Sequence, residues 1–208
     1  MRHFCLLLTL VWLTACGSKG DYTISTDYGD MEVKLLDSAP RHKENFGKLV
    51  SEGFYNDLLF HRVMKGFMIQ GGDPDSKGAP FEKPLGSGGP GYTIPAEIGV
   101  PHFKGMLSAA RLGDEMNPSK ASSGSQFFIV QGGPVDDAML DAIERERGFK
   151  YSSAQREKYR KLGGTPMLDG EYSVFGEVVS GLEVVDKIAA VETDPRDRPK
   201  KDVKMIIK

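Results

Sequence analysis

Glycine and proline recur along the whole chain and divide it into short segments. Of the 208 residues, 25 are glycine and 12 are proline. Both residue types favour turns, and proline also interrupts helices, so the backbone is expected to change direction often. This distribution favours short strands over long helices and predicts a fold that is mainly β.

The runs between these turns alternate between apolar and polar side chains, as strands with one buried face do. Residues 22–26 and 31–36 flank a polar turn and predict a β-hairpin. Further strands are predicted at 58–64, 67–70, 105–110, 126–130, 174–179 and 203–207. The pattern therefore indicates about eight strands.

Three segments depart from the strand pattern. A helix is predicted to begin near Pro40 and to stop at Gly53, because apolar residues recur at i, i+3 and i+4 from Phe46. Segment 114–125 is polar and contains proline and glycine, which predicts a loop. Segment 135–163 is predicted to be a helical hairpin inserted into the β fold.

The hairpin prediction depends on capping residues. Asp136 or Asp137 can cap a first helix that Gly148 ends. Ser152 and Gln155 have the spacing of a capping box for a second helix. We expect this insertion to be peripheral to any functional site, with a lid or a partner surface as the alternative.

The N-terminal segment has the features of an export signal. Arg2 is followed by an apolar run at 4–13 that is too short to span a bilayer. The segment ends in Leu-Thr-Ala-Cys and resembles the lipobox of bacterial lipoproteins, which implies removal of residues 1–15 and acylation of Cys16. Residues 16–21 would then be a lipidated cysteine and flexible tether, and 22–208 a single domain. The alternative is an ordinary signal followed by a chance cysteine.

This signal predicts a location and restricts the chemistry of the domain. The protein is expected in the bacterial cell envelope, anchored through Cys16 to the outer membrane or to the periplasmic face of the inner membrane. Cleavage would also remove Cys5, the other cysteine, so no disulfide is expected. His42 and His102 lack the spacing of metal ligands, and no metal site is predicted. The net charge of −2, without long runs of one sign, argues against nucleic acid as a partner.

Residues 60–73 form the most distinctive stretch of the sequence. They read as two strands around a Lys-Gly bend, followed by a Gly-Gly-Asp turn. The period of a strand places Met68 and Gln70 on one face, and Gln126 and Phe128 share a face in the same way. Each strand therefore combines an apolar and an amide group on one surface, which a plain core strand would fill with aliphatic side chains.

On the basis of this stretch and of the landmarks given next, the chain resembles the cyclophilin-type peptidyl-prolyl cis/trans isomerases. The landmarks follow the order of that family and lie at 60–73, 86–92, 105–110, 125–129, 168–170 and 174–176. The resemblance implies a closed, eight-stranded antiparallel barrel capped by two helices, here carrying the inserted hairpin. It also implies that no cofactor is needed.

The resemblance assigns roles to individual residues. Arg62 is implied to be the catalytic cation. Residues implied to bind the substrate are Phe67, Met68, Gln70, Gly86, Ala110, Arg111, Gln126, Phe128, Leu168 and Tyr172. Gln70 and Gln126 would hold peptide groups, while Ala110 and Arg111 would lie at a strand edge that binds an extended peptide. Phe67 does not fit strand alternation, so its role rests on the resemblance alone.

The chemistry of the amide explains why an arginine suits this reaction. Rotation about an X-Pro bond is opposed by a barrier of ~18–20 kcal/mol, and no covalent bond needs to break. At the halfway twist the prolyl nitrogen recovers its lone pair, so a fixed donor stabilises the twisted state more than the planar states. A guanidinium remains protonated throughout. No general base is required, and His61 is therefore expected to be structural.

Some positions depart from the pattern of the family. Met167 stands where many eukaryotic members have tryptophan, which implies weak binding of cyclosporin. Tyr172 replaces a histidine at the pocket rim, and Arg111 and Leu112 replace small polar residues, so substrate preference is expected to shift.

The predicted function is isomerisation of X-Pro bonds in envelope proteins, with proline-containing segments as partners and a monomeric protein. One alternative is a proline-peptide-binding chaperone or scaffold with little turnover. Another is a structural envelope lipoprotein in which the helical hairpin is the functional part.

Overall fold

The computed structural model describes residues 20–208, so the predicted signal 1–15 and Cys16 lie outside the described residues. Four helices are present in this range: α1 (Pro40–Ser51), α2 (Asp137–Arg147), α3 (Ser153–Leu162) and α4 (Leu182–Ala189). The strands are β1 (Tyr22–Thr26), β2 (Gly29–Leu35), β3 (Leu58–Leu59), β4 (Arg62–Met64), β5 (Met68–Gly71), β6 (Thr93–Ile94), β7 (Met106–Ala109), β8 (Ser122–Ser123), β9 (Phe127–Val130), β10 (Val174–Ser180) and β11 (Lys204–Ile207).

Nine of these strands form one curled antiparallel sheet. Their order is β3-β11-β1-β2-β10-β7-β9-β5-β4. The mainly β architecture is confirmed, but the sheet differs from the predicted closed, eight-stranded barrel. Among the described residues no ladder joins the end strands β3 and β4. The predicted strand 58–64 is divided at Phe60 and His61, so that β3 pairs with β11 and β4 pairs with β5.

The main core lies between the sheet and the helices α1 and α4. Phe46 of α1 packs edge-on against Phe127 of the sheet, with ring centroids 5.9 Å apart. Val185 and Ile188 of α4 are fully buried in the same cluster. The two capping helices are thus confirmed, although the sequence patterns located only the first of them.

The two faces of the sheet carry different apolar clusters, as the period of a strand predicts. Ile69 and Ile129 point into the main core. Met68 and Phe128, which alternate with them, belong to a second cluster that also contains Tyr159 of the inserted hairpin. The second cluster is the one beside the candidate active site.

The inserted hairpin has the predicted caps. The side chain of Asp136 accepts a hydrogen bond from the backbone of Met139 at 2.8 Å, and Gly148 ends α2 in a left-handed conformation at φ 74°. Ser152 and Gln155 form a reciprocal capping box at the start of α3.

The two ends of the hairpin lie side by side at the sheet. Gly133 and Gly164 form an antiparallel bridge, in which the N–H of Gly164 donates to the carbonyl of Gly133 at 3.0 Å. The insertion is therefore anchored next to the strand β9 that precedes it.

One small sheet was not predicted. Strand β8 lies within the predicted loop 114–125 and pairs with β6. Each strand has two residues, and serine at both positions of β8 gives no strand signal. Within residues 20–208, no helix is both long enough and apolar enough to cross a bilayer.

Candidate active site

A cavity of about 170 Å³ opens on the side of the sheet that carries the second apolar cluster. Its lining consists of predicted site residues: Arg62, Phe67, Met68, Gln70, Ala110, Arg111, Phe128, Leu168 and Tyr172. The two remaining predicted residues, Gly86 and Gln126, line an adjoining groove together with Gln70, Ala110 and Arg111. The fold therefore brings all the predicted substrate-binding positions together, and their individual roles stay predictions.

One wall of this cavity, which we call the sheet wall, is formed by Arg62, Met68, Gln70 and Phe128. Arg62 pairs with Gln70 across β4 and β5, and Gln70 pairs with Phe128 across β5 and β9. Residues directly opposite in antiparallel strands point to the same face. The ladder therefore places a cation, an amide and an aromatic ring side by side.

Phe67 completes this side of the cavity from a turn. It immediately precedes β5, and its N–H donates to the carbonyl of Met64 at 3.0 Å. A residue in a turn does not follow the alternation of the strand, which explains why its position could not be predicted from the period.

The guanidinium of Arg62 lies at the boundary between cavity and solvent. Its side chain is 42% exposed, and Nε lies 3.5 Å from Oδ2 of Asp197. Nη2 donates to the sulfur of Met64 at 3.0 Å, and sulfur is a weak acceptor. These contacts orient the cation while leaving it on the cavity lining.

The two glutamines form a chain of hydrogen bonds towards the Gly86 loop. Gln70 donates from Nε2 to Oε1 of Gln126 at 3.0 Å. Gln126 in turn donates to the carbonyls of Gly86 and Gly88 at 3.0 and 2.7 Å. Because its amide is engaged within the protein, Gln126 positions the loop, and Gln70 is the better placed of the two to meet a peptide.

Asp73 fixes the same loop from the opposite side. This buried carboxylate accepts hydrogen bonds from the backbone N–H groups of Gly86 and Gly88. A Cβ atom at residue 88 would lie only 2.1 Å from Oδ1 of Asp73, so the close approach requires glycine there. The sequence signal was the Gly-Gly-Asp turn, but the partner loop could not be predicted from it.

The second wall, which we call the loop wall, is formed by Ala110, Arg111, Leu168 and Tyr172. The guanidinium of Arg111 lies 4.5 Å from the centre of the Tyr172 ring, and its side chain is 5% exposed. It donates to the carbonyl of Glu171 at 2.9 Å and to Asp114 at 2.6 Å. Arg111 therefore supports the tyrosine rather than projecting into solvent.

The predicted peptide-binding edge at Ala110 and Arg111 needs a correction. The N–H of Ala110 donates to Gln126, and its carbonyl accepts from Ser123 at 2.8 Å. Both groups are used by neighbouring strands and loops. Arg111 makes no main-chain hydrogen bond with the described residues, because it lies beyond the end of β7, so its backbone is the one available to an extended peptide.

A buried carboxylate holds the segment between Leu168 and Tyr172. Asp169 accepts from the N–H and Nδ1 of His102 at 2.7 and 2.8 Å. It also accepts from the hydroxyls of Tyr151 and Tyr159 at 2.7 and 2.5 Å. Burial and the Asp169 carboxylate raise the pKa of both tyrosines, which therefore remain protonated donors.

Glu171 makes a second set of links to the same segment. Its carboxylate contacts Arg111, Lys120 and Arg147, with the Lys120 Nζ at 2.6 Å. Arg147, Tyr151 and Tyr159 all belong to the inserted hairpin. The expectation that the hairpin is peripheral is therefore wrong, because its side chains hold the residues that flank the cavity.

Several residues of the site carried no predicted role. Asp169 lies within the landmark 168–170, but nothing in its local sequence indicates three side-chain partners. Arg196 and Arg198 line a neighbouring cavity together with Arg62 and Gln70, and the charged stretch near the C-terminus in which they lie also gave no prediction of a role. Among residues 20–208, no group of three or more His, Cys, Asp or Glu side chains is arranged to hold a metal ion.

The model of the family described as cyclophilin-type peptidyl-prolyl cis-trans isomerase matches residues 22–207. This chain belongs to that family. Isomerisation of X-Pro bonds is the activity that gives the family its name, and the cavity described above is its candidate active site in this member.

Relatives of this cyclophilin include bacterial proteins. The chain is 36% identical over 190 residues to a protein of Staphylococcus saprophyticus that is named as a peptidyl-prolyl cis-trans isomerase. The match covers 90% of this chain and 89% of the relative. The chain is 39% identical to a protein of Streptococcus pyogenes named as a bifunctional phosphatase and isomerase, covering 87% of this chain. The chain spans only 36% of that longer relative.

A solved structure shares the fold. The cyclophilin-type isomerase of Cryptosporidium parvum superposes with a TM-score of 0.64 at 26% identity, covering 90% of this chain and 96% of the other. A second crystal structure of the same parasite enzyme was determined in the presence of the dipeptide Ala-Pro.

Proposed function

We propose that this cyclophilin catalyses cis/trans isomerisation of X-Pro bonds in flexible segments of envelope proteins and thereby assists their folding. In this proposal Arg62 donates a hydrogen bond to the prolyl nitrogen. The supporting observation is the position of the Arg62 guanidinium on the lining of a cavity whose apolar part is formed by Met68, Phe128 and Leu168. Proline-containing segments are the substrate class, in keeping with the Ala-Pro dipeptide named for the parasite relative.

The energetics require more than the arginine. Accelerating isomerisation by ~10⁵ needs roughly 7 kcal/mol of differential stabilisation. A hydrogen bond from a charged donor contributes roughly 1.5–3 kcal/mol of this. The remainder has to come from the apolar cavity, which strengthens electrostatic interactions by excluding water, and from groups that hold the flanking peptide.

The residues that line the cavity divide these tasks. Met68, Phe128 and Leu168 would surround the pyrrolidine ring. Gln70 and the backbone of Arg111 would hold peptide groups on either side, which fixes the axis about which the amide turns. The guanidinium of Arg62 would then face the nitrogen that becomes pyramidal at the halfway twist.

The test is a pair of substitutions at Arg62, measured by an isomerisation assay on an Ala-Pro peptide. We expect Arg62→Ala to lower kcat/KM by roughly 10- to 100-fold, the value of one charge-assisted hydrogen bond. Arg62→Lys should restore part of the loss, since it returns a cation without the planar fork. Arg41→Ala, which removes an exposed arginine of α1 that does not line the cavity, is the matched control.

Two results would contradict this function. If the wild-type protein and Arg62→Ala are equally slow while both still bind the peptide, the chain is a proline-peptide-binding chaperone or scaffold module. If the wild-type protein and Arg62→Ala both isomerise the peptide rapidly, the protein is an isomerase but Arg62 does not have the proposed role.

The proposed location rests on the sequence before the described residues. The Leu-Thr-Ala-Cys motif at 13–16 and the short Gly-Ser-Lys-Gly segment after it support a lipid anchor at Cys16 and a flexible tether. Labelling cells with radioactive palmitate should mark the wild-type protein and not the Cys16→Ala variant, which should also leave the membrane fraction. Equal labelling of both would exclude acylation at this cysteine.

A further inference from the structure

A second cavity, of about 310 Å³, lies beside the proposed proline cavity. The two cavities share Arg62 and Gln70 as lining residues. Four lining side chains of the second cavity are cationic: Arg62, Lys83, Arg196 and Arg198. None of the described residues that line it carries a carboxylate, so we call it the basic cavity.

The cations of the basic cavity are held in place from outside it. Asp194 accepts a hydrogen bond from Nε of Arg196 at 3.0 Å. Arg198 donates from Nη1 to the carbonyls of Pro80 and Phe81, each at 2.9 Å. Lys83 lies 3.5 Å from Asp75, whose carboxylate does not line the cavity. Arg62 and Arg198 have carboxylate partners as well, Asp197 and Asp202, so each of the four cations is paired with an acidic side chain that does not line the cavity. These contacts fix the positions of the cations around a space that none of the described acidic side chains lines.

Two residues that line the basic cavity have buried nitrogen atoms without a hydrogen-bond partner. His61 is only 5% exposed, and neither of its ring nitrogens makes a hydrogen bond of good geometry. Its Nε2 faces Gly86, where an added Cβ would lie 3.6 Å away. Nε of Arg198 is likewise buried without an acceptor. A buried polar group without a partner costs about 1–3 kcal/mol, and these groups show that the acceptors of the protein do not satisfy every polar group in this part of the fold.

We propose that the basic cavity binds an acidic side chain of the polypeptide substrate, so that the enzyme prefers X-Pro bonds with a glutamate or aspartate a few residues away. This inference rests on the proposed isomerase function and adds a specificity to it. The occupant belongs to the substrate chain because the cavity shares Arg62 and Gln70 with the proline cavity, and a peptide in one cavity can therefore reach the other.

The size of the effect follows from the chemistry. A carboxylate that accepts hydrogen bonds from lysine or arginine gains more than a neutral amide of the same shape. Because Lys83 and Arg196 are partly exposed to solvent, screening reduces this gain. We therefore expect about a tenfold preference for glutamate over glutamine at low salt.

The experiment uses a set of Ala-Pro peptides in which one glutamate is placed in turn at each of three positions before the alanine and after the proline. Each peptide has a partner with glutamine at the same position. Isomerisation is followed by NMR exchange spectroscopy, and affinity by calorimetry. One position should show about a tenfold higher kcat/KM with glutamate, and the preference should decrease as salt is added. No preference at any position would overturn the proposal.

Variants then locate the preference. In the double variant Lys83→Gln/Arg196→Gln the ratio of glutamate to glutamine rates should fall to about one, and the ratio cancels any general change in activity. Lys200→Gln removes a charge from the same C-terminal stretch without touching the cavity, and it should keep the tenfold preference. An unchanged preference in the double variant would overturn the proposal.

A last experiment distinguishes three cases: the basic cavity binds a side chain of the substrate, it binds a free anion, or the protein has no isomerase activity. Inorganic phosphate should lower the ratio of glutamate to glutamine rates to about one, and the ratio cancels any effect that phosphate has on turnover in general through Arg62. If phosphate binds but no peptide shows a preference, the cavity takes free anions and the proposal is overturned. If no peptide is turned over, the isomerase function fails, whereas calorimetry still decides whether the glutamate peptide binds more tightly through Lys83 and Arg196.

Discussion

The two walls of the proline cavity are built by different means. In the sheet wall, ladder hydrogen bonds between β4, β5 and β9 set the positions of Arg62, Gln70 and Phe128. In the loop wall, Leu168 and Tyr172 belong to no strand, and side chains of a distant insertion hold the segment between them through Asp169. One wall is a product of backbone pairing, and the other is a product of buried polar contacts.

This difference has consequences for stability. A ladder distributes its hydrogen bonds over many residues, so a single substitution in the sheet wall removes little of the framework. The loop wall depends on two carboxylates, Asp169 and Glu171, and Asp169 is the buried one that accepts from three side chains. A buried acceptor with several donors is costly to remove, because each donor is left without a partner. We therefore expect the loop wall to be the more sensitive of the two.

The largest effect is expected for Asp169→Ala. It leaves the hydroxyls of Tyr151 and Tyr159 and the Nδ1 of His102 without their acceptor and should lower the free energy of unfolding by about 3–5 kcal/mol. Urea denaturation measures this. Asp37→Ala, at a carboxylate that is 94% exposed, is the control and should change stability by less than about 0.5 kcal/mol. If the two variants lost the same free energy of unfolding, the loop wall would not be the more sensitive of the two walls.

The next prediction concerns the pH dependence of stability, which we expect to depend on His61, a buried residue that neighbours Arg62 of the sheet wall. Burial, with help from Arg62 and Arg198 and against the opposing influence of Asp73, lowers the pKa of His61 to about 4. The unfolded chain binds this proton with an ordinary pKa near 6.5, so stability should fall as pH decreases from about 6.5 to about 4, by up to about 3 kcal/mol.

Two measurements check this pH dependence. Denaturation at a series of pH values should give a shallower slope for His61→Gln than for the wild-type protein. Burial also lowers the pKa of His42. His42 therefore contributes to the pH dependence of stability with the same sign in both proteins. An NMR titration in which His61 of the wild-type protein becomes protonated near pH 6.5 would contradict the prediction.

A smaller effect is expected for the double variant Tyr151→Phe/Tyr159→Phe. It removes two hydroxyl donors while keeping both rings, and Asp169 retains its contacts with His102. We expect a loss of about 2 kcal/mol in the free energy of unfolding. KM for an Ala-Pro peptide should rise several-fold with a smaller change in kcat, because the loop wall loosens while Arg62 is unaffected.

The matched control for that variant is Tyr28→Phe, at a partly buried tyrosine packed against the main core, away from the cavity. It should leave KM unchanged. If the double variant has the stability loss but an unchanged KM, the hairpin supports the fold and does not position the pocket.

The smallest effect is expected for Met167→Ala. Met167 immediately precedes Leu168 but is 45% exposed and does not line the cavity. We expect less than about 0.5 kcal/mol in stability and less than about a twofold change in kcat/KM. A larger loss of activity would show that local packing around Leu168, and not the Asp169 contacts alone, shapes the loop wall.

The same comparison explains what could be predicted from the sequence. The faces of Met68, Gln70 and Ile69 follow from the period of a strand, and the caps at Asp136 and Ser152 follow from local side-chain spacing. These features depend on neighbours within a few residues. The sheet wall was therefore accessible from the sequence pattern, once the resemblance supplied the role of Arg62.

The parts that could not be predicted depend on contacts between distant segments. Nothing near Asp169 in the sequence indicates His102, which lies 67 positions earlier. The division of strand 58–64 at Phe60 and the two-residue strands β6 and β8 are likewise set by tertiary pairing. The engagement of the Ala110 backbone depends on Ser123 and Gln126, which reach it only after the chain has folded back.

The bridge between Gly133 and Gly164 gives the insertion a particular freedom to evolve. Because both ends of the hairpin meet at one pair of residues, mutations that lengthen, shorten or replace its helices need not disturb the register of any strand. Such changes would still be felt at Leu168 and Tyr172 through Asp169 and Glu171. Selection can thus change the loop wall by altering a segment that does not line the cavity, while the residues around Arg62 stay as they are.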